Sequence, residues 1–245
     1  MKLDRRNFIL ASAAGIACGY GVGLVLPKSN EKELYLRPPG AVKDFEALCI
    51  KCGQCVQVCP YHSIDLLDIN SGYSNGTSFI DPHKRGCYLC DLFPCVLACP
   101  SGALSHDTKE IKDVEMGVAL LKNHSACLAN KNEPVLQKSV ERLLDRKIYN
   151  DREQAVKQVV KDAVDSECDL CVKICPVGES AIIMAKDATG KNLPLIKQGC
   201  VGCGACAEVC PVQIIHIAPN KKYGEIYYGR ENENFNSLNG ASAYF

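Results

Sequence analysis

The amino-acid sequence predicts an α+β chain built by duplication, with two modules in tandem and a helical hairpin inserted into the second. Three observations lead there. A cysteine-rich run recurs four times. Apolar runs of strand length flank the copies, and one long gap between cysteines carries apolar residues at helical spacing.

The cysteine runs are the strongest signal. "CIKCGQCVQVCP" spans Cys49 to Pro60, "CYLCDLFPCVLACP" Cys87 to Pro100, "CDLCVKICP" Cys168 to Pro176 and "CVGCGACAEVCP" Cys200 to Pro211. The pattern C-x-x-C-x-x-C-x-x-x-C-P belongs to bacterial ferredoxins, where three cysteines hold one iron–sulfur cluster and the fourth reaches to its partner cluster. Proline after the last cysteine ends the local helical turn and has no N–H to satisfy. Pro60, Pro100, Pro176 and Pro211 all occupy that place. Zinc sites instead favour two C-x-x-C pairs a dozen or more residues apart, often completed by histidine, and no histidine here has that spacing. His62, His83, His106, His124 and His216 read as surface residues or as partners behind the ligands.

The count then closes. The first motif supplies Cys49, Cys52, Cys55 and Cys59; the second Cys87, Cys90, Cys95 and Cys99, its middle gap widened by "DLFP"; the fourth Cys200, Cys203, Cys206 and Cys210. The third supplies only Cys168, Cys171 and Cys175, and lacks its first cysteine. Cys127, upstream in "KNHSACLAN", fills the vacancy. Sixteen ligands serve four [4Fe–4S] clusters, each module being a bacterial two-cluster ferredoxin-like unit. Crosswise ligation groups Cys49, Cys52 and Cys55 with Cys99, and Cys87, Cys90 and Cys95 with Cys59. It likewise groups Cys127, Cys168 and Cys171 with Cys210, and Cys200, Cys203 and Cys206 with Cys175. The alternative is a three-iron third cluster with Cys127 a buried free thiol.

The first module runs from 31 to 121 and the second from 122 to 219, with the helical insertion at 130–166. "TSFI", "AIIMA", "LPLIK" and "QIIHIA" read as strands beside the motifs, and "DVEMGVALLKN" (Asp113 to Asn123) as a helix joining the modules. In the insertion, Leu136, Val140, Leu143, Leu144 and Ile148 repeat at helical spacing, followed by Val156, Val159, Val160 and Ala163. Asp151 and Gln154 suggest a capping box. A hairpin of this kind brings its ends together, which Cys127 needs in order to meet Cys168. Its charged faces favour a solvated decoration over a docking surface. The tail, 220–245, reads as extended or partner-bound.

Formal net charge is zero, from 28 basic and 28 acidic side chains, so nothing points to nucleic acid or to an electrostatic membrane patch. With the 17 cysteines set aside, the apolar share falls to about 40%, under the globular norm. So lean a core needs metal or disulfides for stability, and the cysteine triplets are too closely spaced to pair within a motif without strain. Residues 1–30 open with Arg5-Arg6 and Phe8, then an uncharged Gly- and Ala-rich stretch to Leu26. This is the anatomy of a twin-arginine export signal, either cleaved or kept as an N-terminal anchor. Export of a folded chain suits clusters inserted in the cytoplasm. Cys18 reads as a small apolar filler within that segment.

On the twin arginines, "CIKCGQCVQVCPY", "CYLCDLFPCVLACPSGAL", "MGVALLKNHSACLAN", "CDLCVKICP" and "CVGCGACAEVCP", the chain resembles the NapG/MauM family, which includes the ferredoxin-type G subunit of periplasmic nitrate reductase systems. The match extends from Arg5 to about Pro219. In that family the first cysteine of the third motif is likewise detached, although the gap to Cys168 is longer here than the resemblance implies. The resemblance implies a periplasmic electron carrier that works with a membrane-embedded H-type quinol dehydrogenase protein. Electrons then pass toward periplasmic nitrate reductase or its cytochrome partner, and export uses the twin-arginine translocase. No flavin fingerprint, nucleotide loop or acid–base constellation is present, so catalytic residues are expected to be none. Two rival classes remain: the iron–sulfur subunit of a membrane-bound molybdopterin oxidoreductase, and a maturation or assembly factor for an exported redox enzyme. The first typically stretches its fourth motif, which is tight here.

Overall fold

A computed structural model describes residues 35–187 and 190–227. The twin-arginine segment and Cys18 lie outside the described residues, as does 228–245.

Short elements dominate, because each cysteine motif spends its residues on loops. In the first half, α1 (Phe45–Leu48) and α2 (Gln54–Gln57) bracket the first cysteines. The strands β1 (Asp65–Leu66) and β2 (Ser78–Phe79) follow, then α3 (Pro94–Leu97) within the second motif. β1 and β2 pair antiparallel. The second half contributes β3 (Gly117–Leu121), α4 (Leu128–Lys131), α5 (Gln137–Leu144), α6 (Asp151–Asp162) and α7 (Leu170–Lys173). It ends with β4 (Ile182–Lys186), β5 (Asn192–Ile196), α8 (Ala205–Val209), β6 (Ile215–Pro219) and α9 (Tyr223–Tyr227). β4 pairs antiparallel with β5, and β3 with β6. No helix among the described residues is long and apolar enough to cross a membrane.

Four expectations are corrected, the first three in single elements. The helix expected over 113–123 is a strand: Gly117 to Leu121 pair residue for residue with Pro219 to Ile215. Val118 and Ala119 are both buried, so both faces of the strand are covered, and a short continuous apolar run carries no period by which helix and strand can be told apart. Gly117 argues against a helix and suits the pairing, since a Cβ there would sit 2.3 Å from the Ala218 carbonyl oxygen. Residues 117–121, expected at the end of the first module, are thus sheet partners of the second. The α6 cap lies one residue earlier than expected. Asn150 is the extended N-cap and accepts the Glu153 N–H at 3.0 Å, while Glu153 accepts the Tyr149 N–H at 2.8 Å. Asp151 becomes the first helical residue, where its charge complements the helix dipole. Third, the tail begins as a helix, α9, with the Tyr227 hydroxyl donating to the Ala119 carbonyl at 2.9 Å.

Between Cys127 and Cys168 the chain folds on itself. Val135 N–H donates to Ser166 O at 3.0 Å, and Asp165 N–H to Val135 O at 2.8 Å. Val140 and Leu143 of α5 and Val160 of α6 bury against Leu128, Cys168, Leu170 and Val209. Leu136, in phase with the apolar stripe, is 58% exposed because it caps α5 from outside. The segment is not solvated decoration. Asn150 donates to Pro60 O at 2.6 Å, His62 meets Glu153 at 2.8 Å, and Arg142 donates to His83 O and Cys210 O, each at 3.2 Å. It straps the two halves of the fold together.

Candidate metal centres

All sixteen cysteines of the motifs are free thiols among the described residues, and the fold gathers them in four sets. Cys49, Cys52 and Cys55 line one cleft with Cys99. Cys87, Cys90 and Cys95 line a second with Cys59. Cys200, Cys203 and Cys206 line a third with Cys175. Cys127, Cys168, Cys171 and Cys210 form the fourth set, each of the first three feeling Cys210 electrostatically. In every set three cysteines of one motif are joined by the last cysteine of another.

Backbone conformation explains how so few residues turn the sulfurs inward. The third residue after each motif's final cysteine is left-handed: His62 (φ 50°), Gly102 (φ 72°), Gly178 (φ 75°) and Gln213 (φ 51°). This bend folds the chain back so that N–H groups reach sulfur. Ser63 N–H donates to Cys59 Sγ and Leu104 N–H to Cys99 Sγ, both at 3.4 Å. The widened second motif holds two consecutive left-handed residues, Leu92 and Phe93, before Pro94 opens α3. Such conformations in non-glycine residues cost about 1–3 kcal/mol each and persist where surroundings impose them. Proline's fixed φ suits the first helical position, so "DLFP" still delivers Cys95 to its set. The offset shared by Gly102 and Gly178 is the one trace of this bend in the sequence.

The donor sets fit a cationic, polynuclear group. Among the described residues no three His, Cys, Asp or Glu side chains converge on a single ion, whereas the first cleft, counted with its mouth, measures about 350 Å³. Burial pushes the Cys95 thiol up to about 12 and the Cys90 thiol up to about 11, with Cys59 adding to both. Burial likewise takes Cys203 to about 12 and Cys168 to about 11, and holds Cys87, Cys171 and Cys206 well above the ordinary thiol value. Crowded thiolates in an apolar cleft are stable only beside positive charge, and a coordinating metal deprotonates a thiol outright. Cys99 runs the other way. Burial raises it, but N–H groups of Leu104, Ser101 and Ala103 and the Ser101 hydroxyl outweigh that and lower it. The buried Ser78 hydroxyl also lines the first cleft, where its interaction with Cys55 opposes the upward push of burial on that thiol.

Sequence reasoning missed the carboxylates behind the sets. Glu208, fully buried in the fourth motif, pairs with Arg146 and accepts the Gly86 N–H at 2.6 Å and the Tyr88 hydroxyl at 2.9 Å. Glu153 pairs with Arg85 and His62. A glutamate inside "CAEVCP" looks like any helix surface residue, and nothing local marks it as buried. Of the histidines, His106 meets the Cys99 carbonyl at 3.0 Å, and His83 faces His216 at 3.4 Å.

These thiol sets define the class: an iron–sulfur protein whose sixteen cysteines fit four [4Fe–4S] clusters. The 4Fe-4S dicluster domain family matches residues 48–116 and 165–214. The methylamine utilization ferredoxin-type protein MauM of Paracoccus denitrificans is 32% identical over 85% of this chain and 84% of its own. The ferredoxin-type protein NapG of Escherichia coli is 32% identical over 85% of this chain and 82% of its own, and MauM of Methylorubrum extorquens is 31% identical over 81% and 79%. The chain belongs to the NapG/MauM family of ferredoxin-type iron–sulfur electron-transfer proteins.

Proposed function

We propose that this protein is a periplasmic electron carrier holding four [4Fe–4S] clusters. In this reading it is exported folded by the twin-arginine route and receives electrons from a membrane-embedded H-type quinol dehydrogenase protein. It delivers them toward periplasmic nitrate reductase or its cytochrome partner, and has no substrate site of its own. The observation that carries the proposal is the gathering of sixteen cysteines into four sets of four, which uses every cysteine among the described residues. In the proposed ligation each set holds one cluster crosswise, within a tandem of two-cluster modules whose second member carries the inserted hairpin of 130–166. Bound clusters supply reversible one-electron chemistry.

The chain's own residues do the rest. Cysteine sulfurs fix the groups in place, and N–H donors such as Leu104 and Ser63 stabilise negative charge on sulfur. Val96, Leu104, Ala205 and Val209, each at most 1% exposed, exclude water around the sets. The test is an anaerobic redox titration followed by EPR. Four clusters that accept electrons from a quinol-range donor are expected, and a protein that takes none from such a donor overturns the carrier role. The equal identity to MauM favours a second reading, a methylamine-oxidising chain. Rapid reoxidation of the reduced protein by the nitrate reductase partners selects the first.

A further inference from the structure

The backbones of the two halves meet at Cys87. Its N–H donates to the Cys203 carbonyl at 2.8 Å, and Cys87 forms an isolated parallel bridge with Gly204. The approach is closer than side chains permit. A Cβ at Gly86 would fall 2.5 Å from the Ala205 nitrogen, and one at Gly204, left-handed at φ +85°, would fall 2.6 Å from Pro82 Cβ. Glu208 holds the contact from the second half, taking the Gly86 N–H and the Tyr88 hydroxyl with one oxygen while Arg146 takes the other. It therefore grips the residues on both sides of Cys87. Cys203 and Ala205 are buried in the same core as Cys87 and Cys95. The two bonded cysteines belong to different thiol sets, so their sulfurs are joined through one hydrogen bond and the bonds of these two residues alone.

We infer that the Cys87–Cys203 contact is the electronic junction between the halves. With clusters bound, one electron at a time would cross it, the group that Cys59, Cys87, Cys90 and Cys95 would hold losing that electron and the group that Cys175, Cys200, Cys203 and Cys206 would hold gaining it. No bond breaks and no proton moves. Because final cysteines are exchanged between the sets of each half, the four sets fall in the order of Cys49, Cys87, Cys200 and Cys168. The inference rests on the proposed carrier function, and adds the route. Gly86 and Glu208 are positioning residues: neither is a ligand, and each sets the closeness of the contact.

The experiment uses the full chain, purified anaerobically and reduced with dithionite. In Gly86→Ala the added methyl must part the halves, so weaker magnetic interaction between the two inner reduced clusters is expected by EPR. Equilibration of a flash-injected electron, followed by rapid-freeze EPR, should slow at unchanged iron content. Gly224→Ala, where a Cβ meets nothing within 4 Å and the backbone is not left-handed, should leave both readouts at wild-type values. Should Gly86→Ala lose iron, Glu208→Gln decides in its place: its amide nitrogen must face one of three donors, and the same readouts should move in the same direction by a smaller amount. Wild-type coupling and equilibration in the iron-replete variant overturn the junction. A wild-type protein that accepts no electrons would instead overturn the carrier function, so the two failures are distinct.

Discussion

The Cys49 set and the Cys168 set hold the same four thiols in opposite surroundings. In the first, Cys52 is exposed, Cys49, Cys55 and Cys99 are half-buried, and Leu48, Ile50 and Leu66 stand 44–63% exposed around them. In the second, Cys127, Cys168, Cys171 and Cys210 are all buried. Two structures make the difference: the β3–β6 and β4–β5 sheets bury Cys127, Cys171 and Cys210, and the chain between Cys127 and Cys168 buries Cys168. A compact motif brings its first cysteine to its set through a two-residue loop and leaves the loop's outer side open to solvent. The detached motif does it with two helices whose apolar faces cover the Cys168 side of the set. Cluster potential depends on solvent exposure and on hydrogen bonds to sulfur, so one ligand chemistry is set in two environments, one open at the surface and one shielded inside.

The comparison breaks outright if Cys127 is not a ligand. Cys127→Ser is expected to lose about a quarter of the iron and acid-labile sulfide, measured on anaerobically purified protein. Unchanged iron and an unchanged EPR spectrum would remove Cys127 from the set and leave the hairpin without its purpose.

Next in size is the seal itself. Leu143 is buried against Val160 and Leu170. Leu143→Ala should cost about 2–5 kcal/mol in thermal unfolding. It should also speed ferricyanide bleaching of one set while the already exposed Cys49 set bleaches as before. Uniform acceleration at all sets would mean that the hairpin supports the whole fold and does not shield one site.

How far the sequence reached differs between the two sets for the same physical reason. The sixteen cysteines and their pairing across motifs were legible, because a thiol ladder at fixed spacing admits few geometries. β2, β4, β5 and β6 were legible as apolar runs bounded by turns. The strand at 117–121 was not, because its partner lies a hundred residues away at 215–219 and only that pairing separates it from a buried helix. The cap at Asn150 was hidden by the adjacent Asp151, and either residue satisfies the pattern. The hairpin's attachment was least legible of all. Asn150, Glu153 and Arg146 occupy positions that read as polar, solvent-facing surface, and only the fold shows that Pro60, His62 and Glu208 wait opposite them.

That attachment makes a pH prediction. Burial pushes the Glu153 carboxyl up, but the His62 hydrogen bond, the Tyr149 N–H and Arg85 together outweigh it and lower its pKa. A carboxylate lowered on folding contributes stability that is fully present above its unfolded value of about 4.3 and is lost as pH falls through the lower, folded value. Amide exchange in α6, corrected for intrinsic rates, should therefore stay slow above about pH 4.5 and accelerate below it. Glu153→Gln should show weaker protection at neutral pH and no further loss across the same window. Equal acid loss in both proteins would place the titrating group elsewhere.

The smallest effect falls on the open set, where exposure itself supplies the sensitivity. Ile50 is 63% exposed and lines the cleft of Cys49, Cys52, Cys55 and Cys99. Ile50→Glu removes little buried surface, so stability should change by no more than about 0.5 kcal/mol. The new carboxylate nevertheless stands beside a group whose reduction adds negative charge. Repulsion through partly screened surroundings should lower that one potential by on the order of tens of millivolts, less at high salt. A redox titration of wild type and variant at two ionic strengths reads both quantities. A shift confined to one of four steps and reduced by salt fits a solvent-facing set. A shift of the same size in every step, or none at low salt, would mean that the Cys49 set is no more open to its surroundings than the Cys168 set, and the contrast between them would fail.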